Sequence, residues 1–267
     1  MRDLKNGELE LNKIYFGDCF GFLPLLEDKS VDLIFTDLPF GTTHARWDKP
    51  LDLDKLWNQY ERVIKDNGAI LLFAQAPYDK VLAASNMKMF RYEWIWEKTH
   101  ATGHLNSKKM PMKSHEQILV FYKKLPTYNA QKTSGHKLKS VKVVSRKSVA
   151  STIYNKHDKH VDYASTERYP RSVVRFASDR QKLSLHETQK PEALLEYFIK
   201  TYSNEGDLVL DTCSGSGSLA AASITTNRRF ICMEKEKHNF DVSVERISKM
   251  QEQQENPVTE MMKAYTV

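Results

Sequence analysis

Short apolar runs alternate with amphipathic stretches at both ends of this 267-residue chain. Runs rich in β-branched and aromatic residues are typical of buried strands, whereas apolar positions three or four apart are typical of helices. The runs predict strands at Lys13–Phe16, Val31–Thr36, Ala69–Ala74, Tyr92–Trp96 and Gln117–Tyr122. The helical spacing predicts a helix over Leu53–Lys65, which stops before Asn67-Gly68, and a second over Tyr78–Met87.

This alternation fades from about Pro126 to Lys182, where Ser, Thr, Lys and His dominate, and the pattern there predicts an irregular inserted region. Regular alternation then returns. It predicts helices at Pro191–Tyr202, Leu219–Thr225 and Lys237–Lys249, and strands at Leu208–Asp211 and Phe230–Met233. The predicted organisation is a first core half at 1–125, an insertion at 126–182, a second core half at 183–250 and a tail at 251–267.

A strand, a glycine-rich turn, a helix and a second strand follow one another from Leu208 to Met233. This succession opens a nucleotide-binding α/β sheet. Too little chain remains after it for the other strands of such a sheet, so those strands must come from the N-terminal half. The sequence therefore predicts an α/β fold with a mixed, permuted sheet, helices on both faces and an insertion between the halves.

Composition excludes several classes of protein. The longest apolar run, Ala69–Ala74, is too short to span a bilayer, and the charged N-terminus does not suit a signal peptide. The three cysteines, Cys19, Cys213 and Cys232, show no CxxC spacing, which argues against a disulfide framework or a cysteine zinc site. We therefore expect a globular protein of the cytoplasm rather than a secreted or membrane protein.

The net charge of +6 is unevenly distributed. Lys98–Lys182 contains 19 Lys or Arg and five acids, a net +14, which leaves −8 on the remainder. Basic segments with interspersed aromatic rings suit nucleic acid, because the charges neutralise phosphates and the rings stack on bases. The alternative is a solvated lysine-rich surface. Nucleic acid is the favoured partner, with Lys98, Lys108 and Lys109 as candidate phosphate contacts.

The glycine-rich turn Asp211-Thr212-Cys213-Ser214-Gly215-Ser216-Gly217 allows a ligand to approach the backbone closely. Glu234 ends the following strand, where its carboxylate could accept hydrogen bonds from a ribose diol. This context fits either a nicotinamide dinucleotide or S-adenosylmethionine. The structural alternative is a tight turn with Glu234 at the surface.

Three further segments place polar groups beside predicted strand or helix ends. The segment Asp37-Leu38-Pro39-Phe40 follows the strand Val31–Thr36. It is either a functional loop or a plain turn with Phe40 packed in the core. His186-Glu187-Thr188-Gln189-Lys190-Pro191 runs into a helix whose first turn contains Pro191, and could hold a carboxylate or simply cap the helix. Asp18, before Cys19, could bond an adenine amino group or cap the next helix.

Together these motifs resemble the amino-group DNA methyltransferases of the permuted β type, and in particular their phage and prophage members. Asp37 to Phe40 is similar to the family's catalytic Asp-Pro-Pro-Tyr motif, and Asp211 to Gly217 to its glycine motif. His186 to Pro191 is similar to its His-Pro-Thr-Gln-Lys-Pro block. The chain departs from these motifs at Leu38, Phe40, Glu187 and Cys213.

The resemblance implies S-adenosylmethionine as cofactor and an adenine N6 atom of double-stranded DNA as target, with 126–182 as the target-recognition region. It implies that Asp37, Leu38, Pro39 and Phe40 are catalytic. The residues it implies for the cofactor are Asp18, Cys19, Thr188, Gln189, Lys190, Asp211, Cys213, Ser214, Gly215, Gly217 and Glu234. It also implies a homodimer and a link to restriction–modification.

The chemistry agrees with these residues. Hydrogen bonds from an exocyclic amino group to Asp37 and to the Leu38 carbonyl would localise the nitrogen lone pair for attack on a sulfonium methyl. The target base must leave the duplex, and Phe40 would stack on it.

Several alternatives remain open at this point. They are an N4-cytosine or RNA methyltransferase, a nicotinamide-dependent oxidoreductase, and a DNA-binding relative without catalysis. A metal site at His157 and His160, with His100 and His104, is not expected, because no nearby Cys or acid completes a ligand set.

Overall fold

The computed structural model describes residues 9–42, 45, 48–141, 163–177 and 189–255. The strands in these ranges are β1 Lys13–Phe16, β2 Val31–Thr36, β3 Ile64–Ala74, β4 Phe90–Thr102, β5 Lys113–Phe121, β6 Lys139–Val141, β7 Tyr163–Ser165, β8 Val173–Phe176, β9 Leu208–Asp211 and β10 Arg229–Glu234. The α-helices are α1 Cys19–Phe22, α2 Leu53–Val63, α3 Tyr78–Ser85, α4 Glu192–Tyr202, α5 Ser218–Thr225 and α6 Lys237–Glu255.

Eight of these strands form one mixed sheet, in the order β1-β10-β9-β2-β3-β5-β4-β8. The first five strands in that order are parallel, β5 is antiparallel to both neighbours, and β8 pairs in parallel with β4 at the edge. β9 and β10 thus lie between β1 and β2. This confirms the prediction that strands of the N-terminal half complete the sheet of the glycine-rich turn.

The sheet is buried on both faces, as the continuous apolar run of β2 requires. Ile34 packs into a cluster with residues of α2 such as Leu56. The neighbouring Phe35 points to the other face and packs with residues of α4 such as Phe198. Helices therefore cover both faces, as predicted, and the carboxyl ends of the parallel strands share one edge.

The predicted end of α2 was wrong by two residues. Ile64 is only 1% exposed and pairs with Val31, so its backbone is extended and begins β3. Gly68 does not stop the helix but lies within β3. A Cβ atom there would come within 2.7 Å of the Asp32 carbonyl oxygen, so the glycine permits a close strand approach.

Other helix ends also differ from the prediction. α3 ends at Ser85 rather than Met87, and Pro191 is the N-cap of α4 rather than a residue of its first turn. α6 continues to Glu255, because no glycine or proline interrupts the chain before Pro257. The first five residues of the predicted tail are therefore helical.

The chain divides into two compact units, with Ala130–Arg171 as the smaller one. Its described part contains the antiparallel pair β6 and β7 and a bridge between Thr133 and Arg168. An ion pair of 3.0 Å joins Lys132 and Glu167. The predicted insertion, 126–182, is longer than this unit, because β8 belongs to the main sheet.

Within the described ranges, no helix is both long enough and apolar enough to cross a membrane. No group of three or more His, Cys, Asp or Glu in these ranges is arranged to hold a metal ion. His157 and His160 lie outside them.

Candidate active site

A pocket of about 650 Å³ opens at the carboxyl edge of the parallel strands. Its lining includes Asp37 after β2, Asp211 at the end of β9 and Glu234 at the end of β10. All lining residues belong to the larger unit. The volume lies within the roughly 300–1,000 Å³ that small-molecule sites occupy.

All four residues of the loop Asp37-Leu38-Pro39-Phe40 line this pocket. Leu38 is buried in the core, while the partly buried ring of Phe40 lies tilted against Tyr78 at a centroid distance of 5.6 Å. Phe40 is thus anchored to the core and also faces the pocket. The two interpretations of Phe40 are therefore compatible with each other.

A buried carboxylate holds the end of this loop. Asp48 accepts hydrogen bonds from the backbone N–H groups of Gly41, at 2.7 Å, and Thr42, at 2.9 Å. Gly41 has φ of +68°, and a Cβ atom there would lie 2.7 Å from the Pro50 ring. The turn after Phe40 consequently requires glycine, and Asp48 fixes its direction.

Four charged side chains that line the pocket form a chain of ion pairs. Lys190 Nζ donates to Asp37 Oδ2 at 2.5 Å and lies 3.4 Å from Glu116 Oε2. Lys98 forms an ion pair with the other oxygen of Glu116. The second oxygen of Asp37, Oδ1, is buried and has no hydrogen-bond partner among the described residues. Lys190 therefore holds one oxygen of the Asp37 carboxylate, and the other oxygen can accept a further hydrogen bond.

Burial and charge act in opposite directions in this cluster. Burial raises the pKa of Asp37, and the ammonium group of Lys190 offsets this only in part. Burial also acts to raise the pKa of Glu116, but Lys190 and Lys98 outweigh it and the pKa is lowered. The pKa of Lys190 is raised, because the two carboxylates outweigh its own burial. The ionised form of Asp37 therefore depends on Lys190.

The glycine-rich turn has the backbone that the sequence predicted. Gly215 and Gly217 have φ of +54° and +76°, both in the left-handed region. Glu234 is buried, and its carboxylate accepts hydrogen bonds from the N–H groups of Gly215, at 2.7 Å, and Glu236, at 2.8 Å. The expectation of a strand-end acid beside the turn is met, and the alternative of a surface Glu234 is wrong.

Asp211, the first residue of the same turn, holds the turn in place through its side chain. Its Oδ1 accepts hydrogen bonds from Thr36 Oγ1, at 2.7 Å, and from the N–H of Cys213, at 3.0 Å. Burial raises the pKa of Asp211 to about 7. Thr212 next to it shares a buried hydrogen bond of 2.5 Å with Tyr60 of α2. These bonds join the glycine turn to the strand that precedes Asp37.

The residues present fit a polar nucleoside cofactor. Gln189 Oε1 is a buried side-chain atom of a pocket-lining residue and has no hydrogen-bond partner within the described ranges, whereas Ser214 interacts with the Cys232 thiol. Buried polar atoms are normally paired, so Gln189 Oε1 is available to a bound ligand. Asp18 and Cys19 also line the pocket, and Asp18 caps α1 through the N–H of Phe20. Thr188 lies outside the described residues.

One lysine differs from the sequence-based expectation. Lys98 was expected at phosphates, but its side chain is only 11% exposed and pairs with Glu116 in the pocket. The ammonium group of Lys190 binds Asp37, and because Lys190 also lines the pocket, its predicted contact with the cofactor stays a prediction. Lys108 and Lys109 are exposed, as a phosphate contact requires.

Sequence reasoning missed Glu116 and Asp48. Each is a single acid without a motif, and each reaches the site only through the fold. The one available signal for Glu116 was an acid at the start of the apolar run Gln117–Tyr122, where burial needs a countercharge.

A glycine turn and a polar pocket at the carboxyl edge of parallel strands are typical of α/β folds that bind a nucleotide or nucleoside cofactor. A family model described as DNA methylase, of the N6/N4 methyltransferases, matches residues 31–245. The chain belongs to this family of DNA methyltransferases.

Individual proteins agree with this assignment. The type II methyltransferase M.HpaI of Haemophilus parainfluenzae is 30% identical, over 83% of this chain and 69% of its own length. The DNA adenine methyltransferase YhdJ of Escherichia coli (strain K12) is 28% identical, over 84% of this chain and 79% of its own length.

Solved structures share the fold. The complex of M1.HpyAVI with S-adenosylmethionine has a TM-score of 0.58 and 22% identity, covering 88% of this chain and 98% of its own. The PvuII methyltransferase, specific for cytosine N4, has a TM-score of 0.62 and 15% identity, covering 90% and 91%. The family uses S-adenosylmethionine, so the nicotinamide alternative is set aside.

Proposed function

We propose that this DNA methyltransferase transfers a methyl group to the N6 amino group of an adenine that has left the DNA duplex. The observation that supports this most directly is Asp37 Oδ1, a buried pocket-lining acceptor without a partner in the described part of the chain. The exocyclic amino group of a base is a hydrogen-bond donor and could supply the partner that Asp37 Oδ1 lacks.

The residues around Asp37 would prepare that amino group for reaction. Asp37 Oδ1 would accept one of its hydrogens and the Leu38 carbonyl the other, which localises the lone pair on nitrogen. Lys190 holds the opposite oxygen of Asp37, so the carboxylate cannot turn away. Phe40, seated against Tyr78, would stack on the base and position it.

The pocket geometry supports the proposed cofactor residues. Gly215, Ser214 and Gln189 would contact S-adenosylmethionine through backbone or side-chain polar atoms, with Glu234 fixing the turn between them. When bound, S-adenosylmethionine supplies the electrophilic methyl group on its sulfonium. Asp211, Cys213 and Gly217 would shape the wall of this pocket, with Asp18 and Cys19 at its rim.

Adenine is favoured over cytosine for two reasons. Asp37 stands where cytosine-specific members of the resembling family usually have Ser, and the relative YhdJ is named as a DNA adenine methyltransferase. The fold is also similar to that of a cytosine-N4 enzyme, so N4-methylcytosine is the competing product. The DNA-binding relative without catalysis is the third outcome.

The test is methyl transfer from labelled S-adenosylmethionine to DNA that carries no prior methylation, followed by digestion to nucleosides and mass spectrometry. We expect labelled N6-methyladenine. Asp37→Ala should lower the rate by on the order of 100-fold or more, because one electrostatic contact to the reacting group is lost. Asp66→Ala is the matched control, since Asp66 pairs with Lys29 and Lys124 outside the pocket.

Each other result contradicts part of the proposal. Labelled N4-methylcytosine would refute the choice of base but keep the reaction. Full activity of Asp37→Ala would refute its catalytic role. Tight DNA binding by the wild type without any incorporation would refute the catalytic function itself.

A further inference from the structure

The hairpin formed by β4 and β5 ends in an exposed tip at 103–112, next to the pocket. Thr102 pairs with Lys113 across the base of this hairpin tip. Gly103 has φ of +88° and starts a short 3-10 turn, His104–Asn106. Leu105 in this turn is 88% exposed, which is unusual for a leucine, and Met110 and Met112 are also exposed.

The hairpin tip has a defined backbone. The N–H groups of Asn106 and Ser107 donate to the carbonyls of Gly103 and His104, at 3.0 and 3.1 Å. Those of Lys109 and Met110 both donate to the carbonyl of Asn106, at 2.8 and 3.0 Å. At the base, Lys113 Nζ donates to Gln75 Oε1 at 2.8 Å. Leu105 is therefore presented to solvent by an ordered turn.

The charged residues of the hairpin tip are both lysines. The sequence has no Asp or Glu from Lys98 to His115. Lys108 and Lys109 are exposed on the same tip as Leu105. An exposed apolar side chain with two exposed lysines close to it in the chain fits a polyanion that also offers an apolar interior, and a DNA duplex with its stacked bases has both properties.

The position of the hairpin tip connects it to the reaction. His100, Ala101 and Thr102 of β4 line the same pocket as Asp37. Leu105 follows Thr102 by three residues, so it lies within about 10 Å of the pocket wall along the chain. A base that enters the pocket would leave its vacated space in the duplex close to this side chain.

We propose that the hairpin tip enters the duplex beside the target base, where Leu105 fills the space that the flipped base vacates. Lys108 and Lys109 contact the flanking phosphates. This inference rests on the proposed function, because it assumes a base that leaves the stack. Apolar side chains inserted between base steps lower the cost of the unstacked state, which gives Leu105 its effect.

The first test compares two duplexes that contain the methylation site found in the previous experiment, one intact and one with an abasic site opposite the target base. Leu105→Ala should methylate the intact duplex about tenfold more slowly, because no side chain then fills the space that the flipped base leaves; we call this role of Leu105 the wedge. Methylation of the abasic duplex, where the target base is already unpaired, should remain within about twofold. Leu125→Ala is the matched control: Leu125 is 80% exposed but lies beyond the other end of β5.

Two results would overturn the wedge. One is an equal loss on both duplexes, which would indicate a general structural defect. The other is an unchanged rate on the intact duplex. Unaltered S-adenosylmethionine affinity and circular dichroism of Leu105→Ala establish that the variant is folded.

The second test does not depend on methylation. A fluorescein-labelled duplex with one abasic site should bind the wild type more tightly than the intact duplex, since the gap accepts the leucine. Leu105→Ala should lose that preference, while Lys108→Ala/Lys109→Ala should weaken both duplexes alike and reduce the salt dependence. A wild type without the preference, or a Leu105→Ala variant that keeps it, refutes the wedge even if no methyl transfer is detected. Absence of methyl transfer with the preference intact refutes only the proposed function.

Discussion

Asp37 depends on side chains that are far from it in the sequence. Its Oδ2 is held by Lys190, which also approaches Glu116, and Glu116 in turn pairs with Lys98. A buried carboxylate without such a partner would favour its neutral form. The charge of the proposed catalytic group is thus a property of the cluster and not of the motif around Asp37.

Replacing Lys190 should change the pH dependence of the reaction. Burial raises the pKa of Asp37 and Lys190 opposes that rise, so Lys190→Met should raise the pKa further. We expect methyl transfer to fall by about 10- to 100-fold and the acidic limb of the pH–rate profile to move to higher pH. Lys190→Arg keeps the charge and should leave the limb in place. An unshifted limb in Lys190→Met would contradict this coupling.

Asp211 should make the protein without ligand less stable as the pH rises. Burial raises its pKa to about 7, so the folded state retains a proton that the unfolded chain, with a pKa near 3.8, has lost. Stability is then lost as the pH increases between these two values. Asp211→Asn cannot ionise and keeps an acceptor oxygen, so its Tm relative to wild type should rise from pH 5 to pH 8, measured by calorimetry.

Asp66→Asn provides the comparison for that experiment. Its exposed carboxyl pairs with Lys124 and Lys29, which lower the pKa of Asp66 to about 2. Its titration is complete below pH 5, so the Tm difference from wild type should stay constant over the same range. Parallel curves for the two variants would show that Asp211 does not titrate there.

At the scale of elements, the two glycines of the glycine-rich turn, Gly215 and Gly217, serve different purposes. Both have positive φ, but a Cβ atom on Gly217 would lie 3.0 Å from Ser243 of α6, whereas one on Gly215 would meet nothing within 4 Å. Gly217 is therefore needed for the packing of α5 on α6 as well as for its conformation. Gly215 is needed for its conformation alone.

Alanine at these two positions should separate the effects. Gly215→Ala should lower the free energy of unfolding by about 1–2 kcal/mol, the cost of a left-handed alanine. Gly217→Ala should lower it further, because Ser243 must also move. Urea unfolding without cofactor measures both losses. Equal losses would mean that Ser243 accommodates the methyl group at no cost.

At the scale of the whole molecule, the described residues that line the proposed site all belong to one unit. They lie in 1–129 or 172–267, the larger of the two units. Among the described residues the lining includes none from 126–182, the range predicted to recognise the target, and that role stays a prediction.

Replacing 130–171 by a flexible linker should leave S-adenosylmethionine binding within about twofold, since none of the described lining residues is lost. DNA affinity should fall, with a shallower salt dependence, because a basic segment is removed. Calorimetry and fluorescence anisotropy measure the two effects. Loss of cofactor binding in a folded deletion variant would contradict the division.

The sequence by itself determined most elements of the core and the motifs of this protein. It did not predict β6, β7 and β8, which lie where the pattern indicated an irregular region. The strands Lys13–Phe16, Val31–Thr36 and Leu208–Asp211 agree with the structure at both ends, because apolar runs bounded by polar residues are local signals. Helix ends were predicted less accurately. The extended conformation of Ile64 is determined by pairing with Val31 rather than by its neighbours in the chain.

Only the tertiary structure decided what surrounds Asp37. The sequence predicted a phosphate contact for Lys98 and did not predict that Lys190 binds Asp37, because a lysine in a sequence shows its charge but not its partner. Glu116 carried no motif at all, yet it joins both lysines. Ion pairs between residues tens of positions apart form only when the sheet brings β4, β5 and the start of α4 to one edge, and that proximity is not encoded locally.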